Sequence, residues 1–229
     1  MQIEKPDILI ILPAYNEGSM IEEVISKIRD EGYTNICVVN DGSSDDTFEK
    51  SFSSGATVLT HIKNRGAGAA VQTGISFARK IGFQYVVLMD SDGQHLPEDI
   101  NTLCKKMNTD FADIVVGNRF AAKQNEIPRH RSFYNSIANV YTNLFCKNNY
   151  IDTQSGFRLL NRKAIDNLNL KSRDFGFCSE MLIAAERNQL QVDETPVRVI
   201  YTEYSLGKGQ NLFVGFKTAM SIFWRIVFD

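Results

Sequence analysis

The sequence is short of the features that mark many specialised chains. Four cysteines stand in 229 residues (Cys37, Cys104, Cys146, Cys178), with no CxxC pair among them. That excludes a disulfide scaffold and a cysteine-rich zinc site, and it fits free thiols in a reducing cytoplasm. Prolines number only five, and no proline- or glycine-rich linker divides the chain. Charge of one sign is missing too, since 25 basic residues face 27 acidic ones. A dedicated nucleic-acid binder usually carries a basic excess, so no nucleic-acid partner is expected. No apolar run reaches the roughly 18 residues of a membrane span. The nearest, 212–228, is interrupted by Lys217 and Arg225. The first apolar run, Ile8 to Pro13, is too short for a signal peptide. GxSxG, HExxH and Walker A sequences are absent as well.

What is present is a globular composition, 43% hydrophobic and 23% charged, in a chain long enough for a sizeable core. Short apolar runs at 7–12, 36–39, 57–62 and 85–89 read as buried strands. Between them lie helical periodicities. Ile21, Val24, Ile25 and Ile28 recur at i, i+3, i+4 and i+7 before Gly32, a short helix opens at Thr47, and Val71, Gly74, Ile75 and Ala78 share a face within 66–80. Strands alternating with helices predict an α/β fold, a mainly parallel twisted sheet with helices on both faces. The second half is less regular. Strands are expected at 114–116 and 197–202, and helices at 132–145, 179–188 and 212–228. The whole reads as one domain, with a nucleotide-binding first half and an acceptor-binding second half.

In such sheets ligands bind beyond the C-terminal strand ends. Three of those ends carry Pro13-Ala14-Tyr15-Asn16-Glu17, Asn40-Asp41-Gly42-Ser43-Ser44 and Asp90-Ser91-Asp92-Gly93-Gln94-His95. Asp90 and Asp92, spaced i, i+2 at a turn, can approach one hard cation such as Mg²⁺ or Mn²⁺, whose other positions go to phosphate and water. Asp41 is placed to accept from a base or ribose, and Tyr15 offers a stacking face. Glu17 is either part of that edge or a first-turn charge favoured by the helix dipole. Gly66-Ala67-Gly68 is only half of a dinucleotide fingerprint and follows the wrong strand, which counts against a nicotinamide enzyme. Its glycines would let a helix start close to the nucleotide. Arg119, Arg129, Arg131 and Lys208 are candidates for phosphate, the last in a mobile Gly207-Lys208-Gly209 loop. Asp152 and Glu180 could orient or deprotonate an acceptor.

PAYNE, NDGSSDDT, the glycine-rich helix start, MDSDGQHLPED, GNR, TQSGFRLLNRKAI and GKGQ stand here in one order. In that order they resemble family 2 inverting glycosyltransferases of the GT-A fold, most closely the branch of dolichyl- and polyprenyl-phosphate sugar synthases. The resemblance covers about residues 7 to 210. It implies a nucleotide-diphosphate sugar donor, UDP-linked in preference to GDP-mannose, and a lipid-phosphate or glycan acceptor. Pro13, Ala14, Tyr15, Glu17, Asp41, Gly68, Ser91 and Lys208 match the donor side. Asp90, Asp92 and Gln94 match the metal contacts. Arg119 matches an arginine near the donor phosphates. Arg131 or its neighbour Arg129, together with Ser155, matches the acceptor side. Asp152 matches an acidic residue regarded as catalytic in relatives. Where many relatives carry lysine between the two glycines, this chain has Ala67.

The resulting expectation is an enzyme in which Asp92, Arg119 and Asp152 serve the chemistry, with Asp152 as base if the acceptor is a hydroxyl. The rivals are a nucleotidyltransferase, which would release pyrophosphate, and a non-catalytic nucleotide-sugar binding module. Residues 1–211 are expected to form the catalytic domain. Residues 212–229 should form an amphipathic helix that lies on a membrane, or else docks on the domain or on a homodimer partner. The expected location is cytoplasmic, with peripheral contact at the membrane face.

Overall fold

The first strand sets the frame. In β1 (Ile8–Ala14) every residue but Pro13 is buried. Alternate side chains serve opposite faces: Leu9 and Ile11 enter one apolar cluster, while Ile8, Ile10 and Leu12 enter the other. A strand wanted by two cores reads as a continuous apolar run, which is why it was legible. The computed structural model describes residues 3–125, 127–174 and 176–201, apart from the side chains of Arg129, His130, Arg131 and Tyr134. Lys208 and the segment 212–229 lie outside the described residues.

The remaining strands are β2 (Ile36–Asn40), β3 (Thr57–Thr60), β4 (Tyr85–Leu88), β5 (Ile114–Asn118), β6 (Arg158–Asn161) and β7 (Val192–Pro196). They form one seven-stranded sheet in the order β3-β2-β1-β4-β6-β5-β7. All neighbours are parallel except β6, which runs antiparallel to both β4 and β5. The helices are α1 (Ile21–Asp30), α2 (Thr47–Ser53), α3 (Ala67–Ile81), α4 (Ile100–Asp110), α5 (Arg129–Asn143), α6 (Arg162–Asn167) and α7 (Phe177–Arg187). Val71, Ile75 and Ala78 of α3, with α6 and α7, cover one face of the sheet. Ile21, Val24, Ile25 and Ile28 of α1, with α4, cover the other. Each such buried Ile or Val contributes roughly 1.5–3 kcal/mol. Among the described residues no helix is long and apolar enough to cross a membrane.

Helices α4 and α6 were not foreseen, and two strands also differ from the expectation. The strand expected at 197–202 lies earlier, at Val192–Pro196. It pairs with β5 at the sheet edge, where three of its residues are only half-buried, so its polar composition masks it. Val199 makes only a single bridge, to His95. The strand β6 was not foreseen, and it positions the site. Because it is antiparallel, its first residue, Arg158, pairs with Leu88 and Val116 near the C-terminal ends of β4 and β5. The segment entering it, 152–157, is thereby delivered to the same edge as the Asp90 turn.

Candidate active site

The turn after β4 is held on several sides. Ser91 Oγ donates to the Pro13 carbonyl (2.8 Å), tying it to the end of β1. The Gln94 amide donates to Asp92 Oδ1 (3.0 Å), and Gly93 takes the left-handed conformation that closes the turn (φ 76°). The Asp90 amide donates to His95 Nδ1 (3.3 Å). His95 is buried and stacked on Phe157, with ring centroids 4.9 Å apart. Burial pushes its imidazole down to about 4, so it is neutral at pH 7, accepting at Nδ1. From the far side the Ile200 amide donates to the Gln94 carbonyl (3.0 Å).

The Asp90 carboxylate lies against the backbone of Gly156. A Cβ at position 156 would fall 2.8 and 2.9 Å from its two oxygens. Glycine is therefore required there by close approach. Gly156→Ala should displace Asp90 and lower turnover about 10²-fold, with thermal unfolding little changed; turnover equal to that of the unsubstituted chain would show that Asp90 can move without consequence.

Asp90, Asp92 and Gln94 offer only oxygen-type donors, which suits a hard divalent cation. Among the described residues no cluster of three His, Cys, Asp or Glu side chains could hold a metal unaided. A cation at Asp90 and Asp92 therefore needs further oxygens from a ligand, and a diphosphate supplies them. The residues fit such an ion.

Beyond β5 stands Arg119. Its Nε donates to Asp152 Oδ2 (2.8 Å) and its terminal nitrogen to Oδ1 (2.7 Å), a bidentate fork. The Arg119 amide also donates to Oδ2 (2.9 Å), and Asn135 Nδ2 approaches Oδ1 (3.3 Å). Burial works against the Arg119 charge, but the charge and hydrogen bonds of Asp152 outweigh it and hold the guanidinium ionised. Asp152 is fully buried, and both of its oxygens face protein donors. A general base needs a lone pair turned to substrate. In this arrangement the carboxylate turns its lone pairs to Arg119 and Asn135. Glu194 of β7 accepts from the amides of Ile151 (2.9 Å) and Asp152 (2.8 Å). Beneath them Arg158, also fully buried, donates to the carbonyls of Thr153, Ser155 and Cys178 (2.8–2.9 Å). Ser155 Oγ is buried without a hydrogen-bond partner.

The donor-side loops interlock. The Asn16 amide donates to Ser43 Oγ, the Ser44 amide to Asn16 Oδ1 and the Glu17 amide to Thr47 Oγ1 (2.8–2.9 Å). Pro13 and Ala14 end β1, and the Ala14 carbonyl accepts from the Asp41 amide (2.8 Å). Tyr15 is exposed and Glu17 buried. Asp41 is buried, and its carboxylate accepts from the Arg65 amide (2.9 Å) and the Gly66 amide (2.7 Å), with His61 Nδ1 at 2.6 Å. Any base or ribose must share that carboxylate with these donors. His61 Nε2 lies 2.9 Å from Thr73 Oγ1, so a chain from β2 through β3 to α3 fixes Asp41. The partners of His61 stand 20 residues before and 12 after it, too far for a local sequence pattern to show them.

Gly68 lies against the crossing segment 172–174. Its amide donates to the Arg173 carbonyl (2.9 Å), and a Cβ there would meet the Ser172 carbonyl oxygen at 2.2 Å. The glycine admits the crossing segment 172–174, and its amide is not free for a phosphate. Glu180 holds the same segment by accepting from the amides of Lys171 and Ser172 (2.7 Å each). Arg129 and Arg131 fall in the first turn of α5, and their side chains lie outside the described structure.

Comparison with known proteins agrees with this fold. The solved structure of glucosyl-3-phosphoglycerate synthase from Mycobacterium tuberculosis in complex with Mn²⁺ and UDP-glucose has a similar fold. Its TM-score is 0.69 at 20% identity, covering 96% of this chain and 77% of that one. The UDP-N-acetylglucosamine–dolichyl-phosphate N-acetylglucosaminyltransferase of Methanococcus voltae is 32% identical over 96% of this chain and 94% of its own length. The polyprenol monophosphomannose synthase of Mycolicibacterium smegmatis is 27% identical over 87% of this chain and 78% of its own. Residues 9–168 match the family described as glycosyl transferase family 2, and the chain is a glycosyltransferase belonging to that family.

Proposed function

We propose that this glycosyltransferase moves a sugar from a nucleotide-diphosphate sugar to a polyprenyl phosphate, with inversion at the anomeric carbon. One observation carries the choice of acceptor: Asp152, the acid that a hydroxyl acceptor would need, is sealed onto Arg119. A phosphate acceptor is already anionic, and positioning alone suffices for its attack. UDP-N-acetylglucosamine is the donor to try first, because the Methanococcus voltae relative that spans nearly the whole chain is named for it. GDP-mannose is the second, from the mannose synthase relative.

Asp90, Asp92 and Gln94 would hold Mg²⁺ or Mn²⁺ against the donor diphosphate. A cation so held supplies Lewis-acid stabilisation of the leaving group. Arg119, fixed by Asp152 in one orientation, faces the same edge as a charge that needs no reorganisation when the diphosphate leaves. Tyr15 and Asp41 take the nucleoside. Arg129, Arg131 and Ser155 fall to the acceptor side.

The test is nucleoside diphosphate release with each donor, with and without a short-chain polyprenyl phosphate. Release of UDP that requires the phosphate acceptor, with an inverted product by NMR, is expected. Pyrophosphate release, or transfer only to a hydroxyl acceptor, would reject the reading.

A further inference from the structure

The chain that leaves β7 turns back over the C-terminal ends of the strands. Strand β7 is outermost, and β6 lies between β4 and β5 and holds their ends apart. The segment 197–200 spans that gap with backbone bonds. The Val197 amide donates to the Asn118 carbonyl (3.1 Å), beside Arg119. The Ile200 amide donates to the Gln94 carbonyl (3.0 Å), in the turn after β4, and Val199 pairs with His95 there. The outer anchor is Asp99, at the foot of α4. Its carboxylate accepts from the Arg198 amide (2.6 Å), from Nε (3.0 Å) and from a terminal nitrogen (2.8 Å).

One side chain closes this strap onto Arg119. Asn125 Nδ2 donates to the Arg119 carbonyl (2.7 Å) and to the Val197 carbonyl (2.8 Å), and its Oδ1 accepts from the Val199 amide (3.0 Å). Both of its N–H bonds and its oxygen thus go to backbone. Turned over, the amide would set its oxygen against two carbonyls and its NH₂ against an N–H, so the partners fix its orientation. No other side chain of this length offers two donors and an acceptor. Asp152 holds the amide and the guanidinium of the same arginine. Asn125 holds its carbonyl and, through 197–200, ties it to the turn that carries Asp90 and Asp92. We infer that Asn125 is a positioning residue for sugar transfer, setting the separation between Arg119 and the turn at 90–94. The inference rests on the reading above, in which that arginine and that turn face one diphosphate. Misplacing such groups by about 1 Å costs roughly 10²-fold in rate.

The experiment compares Asn125→Asp and Asn125→Ala, each alone and in an Arg119→Met/Asp152→Asn background that removes both buried charges together. Aspartate keeps the shape but sets an oxygen against both carbonyls, whereas alanine leaves the three partners to water, so aspartate should be the slower. Rates are taken with Mn²⁺, a short-chain polyprenyl phosphate and whichever of the two donors turns over, well below each variant's measured unfolding temperature. Asn125→Asp alone should lower kcat about 10²-fold and move KM for the donor little. In the background lacking the Arg119 charge it should cost about twofold or less, because the group through which it acts is gone. In the chain without metal or donor, amide hydrogen exchange should quicken at 90–95 as well as at 197–200, with β1 unchanged. Equal fold losses in the two backgrounds, or faster exchange confined to 197–200, would overturn the inference and leave the reading of Arg119 in place. Undiminished turnover of Arg119→Met/Asp152→Asn itself would instead reject that reading, and the inference with it.

Discussion

Asp152→Asn is expected to destabilise the fold by about 3–5 kcal/mol, the cost of leaving one partner of a buried ion pair uncompensated. The substitution keeps the shape of the side chain and removes its charge. Four donor contacts converge on the carboxylate, three of them from Arg119. Asparagine offers one oxygen to these donors and turns its own NH₂ toward the rest, so at least one buried donor loses its acceptor. Urea denaturation at neutral pH measures the loss. Arg119→Met in the Asp152→Asn background should restore part of it, because removing both charges is far cheaper than stranding one. A residue that acted by taking a proton would behave differently. Its asparagine variant would unfold like the unsubstituted chain and lose only turnover, and that pattern would return Asp152 to the role of base.

The elements that the sequence disclosed are those whose pattern is local. Strands β1, β2 and β4 are buried on both faces and so read as unbroken apolar runs, and α1 shows its stripe within one heptad. What stayed hidden depends on pairing at a distance. Strand β6 is four residues long and is made a strand by Leu88 and Val116, 70 and 42 residues away. Gly156 has no local signal for the Asp90 carboxylate that rests on it. Helix α5 is a subtler case. Periodicity located it, but periodicity gives the width of an apolar face and not its direction, and here the direction is outward. At the site, the strand-end acids were legible because turns after apolar strands concentrate them. The sealing of Asp152 was not, since its partners, Arg119 and Asn135, come from two separate segments.

Asp92→Asn is expected to lower kcat/KM about 10³-fold while leaving the unfolding midpoint in place. Stabilisation of a leaving diphosphate by a held cation is worth several kcal/mol, and each 1.36 kcal/mol is a factor of ten. Asn retains an oxygen that can accept from the Gln94 amide, as Asp92 Oδ1 does now at 3.0 Å, so the turn keeps its shape. Ser91 still ties that turn to Pro13, and His95 still receives the Asp90 amide. The substitution removes the negative charge offered to a cation. Asp90 is a poorer probe, because any replacement also alters its contact with Gly156. Excess EDTA should reduce the unsubstituted enzyme to the level of the variant, reduce the variant little further, and be reversed by Mn²⁺ or Mg²⁺. Full activity of Asp92→Asn together with indifference to EDTA would take the cation out of the mechanism.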